Sequence, residues 1–163
     1  MRSILDTLTD HPVRSFAAGE AVLEQNTSTG RLYIMIEGRV QILRDGAVID
    51  TFSRAGDVFG DLSALLGVAH TATVRAVQDS RFYEIADARP FLEQHPAMTL
   101  YLCELLARRL NSLTAYLVDL KQQYEGDERI DMVDEVLEAL LHRQPRSRLF
   151  PRDSVVRDPE TAG

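Results

Sequence analysis

Residues 59–76 read FGDLSALLGVAHTATVRA: Phe59-Gly60-Asp61-Leu62-Ser63-Ala64-Leu65-Leu66, a short link, then His70-Thr71-Ala72-Thr73-Val74-Arg75-Ala76. The stretch from Gly60 to Ala69 is apolar without alternating, which suits one or two turns of helix, whereas Thr71 to Val77 reads as a strand. A helix inserted between strands needs a reason. Gly60 allows close backbone approach, and a helix start offers unpaired N–H groups and a partial positive charge, a natural seat for an anion. Asp61 reads in two ways, as an acid that favours a helix's first turn or as an acceptor for a ribose hydroxyl. His70 and Thr71 read either as loop residues or as phosphate donors at the start of the strand.

The chain on either side of this stretch differs in character. Upstream, short apolar segments are punctuated by Gly, Asp and Asn, so strands are expected at Val13–Phe16, Ala21–Glu24, Leu32–Ile36, Val40–Leu43 and Val48–Phe52. Asp45-Gly46 tolerates positive φ and marks a hairpin turn. With Arg81–Ile85 added downstream, many closely spaced strands indicate a sandwich or barrel. After Asp87 the period becomes helical, and Pro96 separates a short helix from a long one. Leu106, Leu110, Leu113, Leu117, Leu120 and Tyr124 follow steps of four and three residues, an a/d seam of nearly three heptads. That seam fits either packing on the barrel or pairing with a twin, and we expect a homodimer through the helix 97–124. Gly126 is expected to end that helix, Met132, Val133, Val136, Leu137, Leu140 and Leu141 to form another over about 127–143, and the Pro-containing remainder to be a mobile tail. The expected divisions are therefore 1–125, a helical extension 126–145 and the tail 146–163.

Composition narrows the function. The chain has 163 residues, 45% of them hydrophobic, and carries 18 basic against 25 acidic side chains for a net charge of −7. Such a chain buries a real core and is a poor coat for nucleic acid or anionic lipid. A lone Cys103, no long apolar run and no signal-like N-terminus lead us to expect a cytoplasmic protein with no membrane association. His11, His70, His95 and His142 are scattered, so the clustered His/His/Glu set of a metal-dependent barrel is missing and no metal is expected. No nucleophile elbow, P-loop or dinucleotide fingerprint occurs, and Cys103, mid-helix beside Leu102, reads as a buried inert thiol, so we expect no enzyme.

Gly38, Gly46, Gly56, the Phe59-Gly60-Asp61-Leu62 step and Ala72-Thr73-Val74-Arg75-Ala76 occur together in the order seen in the cyclic-nucleotide-binding domain family. The chain resembles that family from about Phe16 to Tyr124. The resemblance implies a mainly β fold with C-terminal α: a double-stranded β-helix or jelly roll, the β-roll, followed by a long dimerisation helix. It also implies a phosphate-binding cassette of outline F-G-E-L-A-L-L, then P-R-A-A-T-V. Gly60 falls on its Gly, Asp61 on its ribose-binding Glu, and Leu62 and Ser63 on its Leu and Ala. Ala69 replaces the Pro, His70 the phosphate-pairing Arg, and Thr71 takes the next small or hydroxyl position, with Ala72 after it. The implied ligand is cyclic AMP or cyclic GMP, with no resident cofactor, and residues within 111–124 would cover the purine.

The departures have physical weight. Arg is always charged and forks onto phosphate, whereas His offers at most two donors and is mostly neutral near pH 7. A hydrogen bond to a charged group is worth about 1.5–3 kcal/mol, so the exchange is expected to weaken cyclic AMP binding roughly ten- to a hundredfold or more. Asp61 is a methylene shorter than Glu, and the family's Gly-acid turn becomes Asn26-Thr27, where Asn still tolerates positive φ. In the family's transcription regulators a winged helix-turn-helix follows the dimer helix. Here only one amphipathic helix follows Tyr124, and Arg146, Arg148 and Arg152 lie close to Asp153, Asp158 and Glu160, so direct DNA binding is not expected. The sequence reads as a sensor that passes a ligand-driven change to a protein partner; the alternative is a ligand-free dimeric interaction module with a degenerate pocket.

Overall fold

The computed structural model describes residues 4–124 and 131–142. A 3-10 turn at Ile4–Thr7 leads into eight strands: β1 Val13–Phe16, β2 Ala21–Leu23, β3 Leu32–Glu37, β4 Val40–Arg44, β5 Ala47–Phe52, β6 Val58–Phe59, β7 Thr73–Ala76 and β8 Ser80–Ile85. Helix α1, Asp61–Leu66, lies between β6 and β7; α2 Ala88–Gln94, α3 Pro96–Gln123 and α4 Asp131–His142 follow. The strands form two antiparallel sheets, in the orders β1-β8-β3-β6 and β2-β7-β4-β5. Sequence neighbours such as β2 and β3 fall in different sheets, so the chain winds between them as a roll.

Two buried clusters hold the roll. Phe16, Tyr33, Phe59 and Phe82 meet edge to face between the sheets, with centroids 5.7–6.1 Å apart for the Phe16–Tyr33 and Tyr33–Phe82 pairs. Each large apolar side chain buried there contributes roughly 1.5–3 kcal/mol. The other cluster, with Leu32, Ile34, Val58, Ile85, Phe91, Met98 and Leu102, seats α2 and the first turns of α3 on the outer face of β3 and β8. Tyr101 Oη donates to the Gly56 carbonyl at 2.9 Å and fastens α3 to the turn before β6.

The expected strands all form, within a residue or two at their ends. The Asp45-Gly46 turn has φ of +51° and +81°, the left-handed pair that a tight hairpin requires. β6 and the 3-10 turn go beyond the sequence reading, and β7 starts at Thr73 where Thr71 had been expected. The roll, α1, α2 and α3 as far as Leu106 make one compact unit, and the described residues from Ala107 onward belong to a second. Along the seam, Leu110, Leu113 and Tyr124 are exposed, and Leu106, Leu117 and Leu120 are half-buried. Cys103, expected to be buried, is exposed, because Leu102 is the side chain that α3 turns into the core there. Gly126 and the segment 146–163 lie outside the described residues. Among the described residues no helix is long and apolar enough to cross a membrane.

Candidate functional site

The site is positioned from β3. Antiparallel pairing sets Tyr33 opposite Phe59 and Ile34 opposite Val58, which delivers the chain to Gly60 beside the backbone of Arg31. Gly60 caps α1 with φ +89° and ψ 0°, and a Cβ there would meet the Arg31 carbonyl oxygen inside van der Waals contact. Both the conformation and the space therefore require glycine. The Gly60 carbonyl accepts the Ala64 N–H at 3.0 Å, closing the first helical turn. Asp61 is buried and has a protein partner, whereas Leu62 is exposed. Ser63 is buried and donates through Oγ to the Val68 carbonyl at 2.6 Å, while the Gly67 N–H donates to the Ser63 carbonyl at 2.9 Å. These two bonds hold the turn that leaves α1.

That turn ends in a clamp. The His70 N–H donates to the Thr27 carbonyl and the Asn26 N–H to the His70 carbonyl, both at 2.8 Å. Asn26 adopts φ +64°, the left-handed geometry its side chain tolerates. The Gln25 N–H donates to Thr73 Oγ1 at 3.0 Å, and the Gln25 amide exchanges hydrogen bonds with Asp45 at 2.8 and 2.9 Å. The 25–29 segment thereby ties the cassette to the β4–β5 hairpin.

The His70 imidazole is only 5% exposed, and its Nε2 lies 3.0 Å from Thr29 Oγ1, which also accepts the Arg31 N–H at 3.3 Å. Burial lowers its pKa below the ordinary value of 6.5, so the ring is neutral at pH 7. Thr71 is exposed and Ala72 half-buried. Sequence reasoning named Gly60, Asp61, Leu62, Ser63, His70, Thr71 and Ala72; it did not reach Thr29, Arg31 or Gln25, whose parts depend on contacts distant in sequence. Only the Asn26-Thr27 turn, with Asn26 flagged as tolerant of positive φ, pointed toward the clamp.

Among the described residues no cluster of three or more His, Cys, Asp or Glu side chains could hold a metal. An open cleft of about 520 Å³ lies elsewhere on the roll, lined by Ser15, Phe16, Glu20, Glu37, Asp79 and Arg81. Its acids are occupied: Glu20 takes the Ala17 N–H, Asp79 the Ala18 N–H, and Glu37 pairs with Arg81 at 2.9 Å. The region 60–72 is where helix start, buried polar groups and left-handed glycine coincide.

Residues 13–93 match the family described as Cyclic nucleotide-binding domain. The cGMP-dependent protein kinase isozyme 1 of Drosophila melanogaster is 27% identical over 113 residues, which are 69% of this chain and 13% of the kinase. The cGMP-dependent protein kinase egl-4 of Caenorhabditis elegans is 35% identical over 66 residues, 40% of this chain and 8% of the kinase. The chain thus spans a small part of these relatives. The Thermus thermophilus catabolite activator protein superposes with a TM-score of 0.60 at 24% identity, covering 72% of this chain and 58% of that one. The structure described as "A cyclic-GMP-dependent signalling pathway regulates bacterial phytopathogenesis" superposes at 0.55 with 25% identity, covering 66% and 91%.

Proposed function

Residues 13–93 form a domain of the cyclic nucleotide-binding family, and from that premise we propose that this chain is a regulatory sensor of cyclic AMP or cyclic GMP. One observation carries the reading: the family match runs through residues 60–72, where Gly60 takes the left-handed conformation that no larger residue could share with the Arg31 carbonyl. In this reading the cyclic phosphate lies against the backbone amides that follow Gly60 and against His70, Thr71 and Ala72. Asp61 accepts from the ribose hydroxyl, with Leu62 and Ser63 completing the cassette. Ligand occupancy would then bias the chain between two conformations, one of which a partner reads.

The output is a homodimer surface along 97–124, or α4, read by a protein partner. Leu110 and Leu113 on that surface are 48% and 49% exposed. The account needs no catalytic step, resident cofactor, metal, DNA contact or membrane, and it suits a cytoplasmic setting. Isothermal titration with each nucleotide tests it. Saturable heat is expected, weakened at least tenfold by Asp61→Ala; no heat at millimolar cyclic AMP or cyclic GMP, at pH 6 or pH 8, overturns it.

Two observations favour a second reading, a ligand-free dimeric module: His70 is buried against Thr29 at 3.0 Å, and Asp61 is already partnered. Under that reading Asp61→Ala and His70→Ala leave partner binding intact.

A further inference from the structure

We propose that the phosphate end of this cassette is linked to a proton, so that a cyclic phosphodiester anion seats against His70 only as the imidazole takes up one H⁺ from solvent. This rests on the reading that residues 60–72 bind a cyclic nucleotide and specifies how that site is regulated.

A neutral imidazole has one N–H and one acceptor nitrogen, and a threonine hydroxyl has one proton and two lone pairs. Thr29 Oγ1 already accepts the Arg31 N–H at 3.3 Å and lies 3.0 Å from His70 Nε2, so with a neutral ring the bond runs either from the hydroxyl to Nε2 or from Nε2–H to the second lone pair. Among the described residues no buried side-chain nitrogen or oxygen lacks a partner, and Thr29 is the hydrogen-bond partner of the ring, so Nδ1 reaches solvent. In the empty site the ring is uncharged and its buried edge is occupied. In the protonated ring Nε2–H donates to Thr29 Oγ1, and Nδ1–H is a charged donor at the edge away from Thr29. An anion arriving there compensates the charge that burial opposes. Anion and proton therefore bind cooperatively, each favouring the other equally.

The charged groups around the ring leave this balance to the ligand. On the 24–31 segment Glu24 is exposed, and Arg31 pairs with Glu84 at 3.2 Å. Asp45, reached through Gln25, takes that amide at 2.8 Å. On α1 Asp61 has its own partner, and on β7 Arg75 is exposed. Burial is what depresses the His70 titration. An arginine here would be charged whether or not ligand was present; histidine makes affinity depend on pH.

The test is isothermal titration of the full chain with cyclic AMP and cyclic GMP from pH 5.5 to 8.5, at each pH in two buffers of different ionisation enthalpy. The expected result is an affinity that falls by about tenfold per pH unit between the free and liganded pKa of His70, with uptake approaching one proton. His70→Gln, whose amide can still reach Thr29, should bind with no proton uptake and no such slope. Imidazole NMR of the unmutated protein should show the His70 pKa rising on saturation. Binding without proton uptake, or uptake that persists in His70→Gln, overturns the linkage and leaves the sensor reading standing. No binding at any pH overturns both.

Discussion

Replacing Gly60 with alanine separates conformational strain from steric exclusion at the point where the cassette begins. Gly60 and Gly46 both sit at positive φ, +89° and +81°. They differ in surroundings: a Cβ at residue 46 has nothing within 4 Å, whereas at residue 60 it meets the Arg31 carbonyl oxygen and comes within 3.5 Å of Leu23 Cδ1. The left-handed conformation costs an L-residue about 1–2 kcal/mol. Forcing extra volume against a packed backbone adds about 1–3 kcal/mol. Gly46→Ala should therefore lose about 1–2 kcal/mol and Gly60→Ala about 2–5. At a urea m-value of about 1–3 kcal/mol/M, the larger loss moves the midpoint by roughly 1–2 M or more. Urea unfolding followed by circular dichroism reads both variants against the parent. Equal losses at the two sites would refute the claim that the Arg31 backbone fixes the cassette entrance, and with it the packing argument for glycine there.

Other variants probe the supports of the site. Ser63→Ala removes the 2.6 Å bond to the Val68 carbonyl and should lose about 1–2 kcal/mol, read by thermal melting, with faster amide exchange between Gly67 and His70. Tyr101→Phe strips the Gly56 carbonyl of its 2.9 Å donor and should lose about 0.5–1.5 kcal/mol in the same assay. His70 gives a pH signature in the absence of ligand. Its folded pKa lies below the unfolded value of 6.5, so the unfolded chain takes the proton first; the stability this histidine contributes is complete above 6.5 and declines as pH falls from there toward the folded pKa. Urea midpoints at pH 7.5 and 5.0 should show that decline shrinking in His70→Gln. Leu113→Asp, on a side chain 49% exposed, should leave monomer stability within about 0.5 kcal/mol yet shift the mass measured by light scattering from dimer to monomer.

What the sequence disclosed depended on how local the governing physics was. A short apolar run such as Leu32–Ile36, closed by Gly38, marks a strand without reference to anything distant, and Asp45-Gly46 specifies its turn through backbone freedom alone. Pro96 likewise marks the start of α3 because of its own ring. β6 has two residues, Val58 and Phe59, too few for any period to register, and exists because β3 is there to pair with it. The start of β7 at Thr73 has the same origin. The backbone of His70 is committed to Asn26 and Thr27, so the ladder with β2 begins only beyond it. For the site, the residue types and their order were legible, including the glycine at Gly60. The sequestration of His70 by Thr29 was not, because a bond across 41 residues leaves no trace in spacing.

The central claim, that residues 60–72 receive a cyclic nucleotide, is tested most directly by amide chemical-shift mapping of the ¹⁵N-labelled chain during titration with cyclic AMP or cyclic GMP. The account predicts saturable shifts at Gly60, Asp61 and Ser63 and from His70 to Ala72, spreading to the clamp at Asn26 and Thr27. An unchanged spectrum at millimolar nucleotide, or shifts confined to the cleft between Ser15 and Arg81, would contradict it.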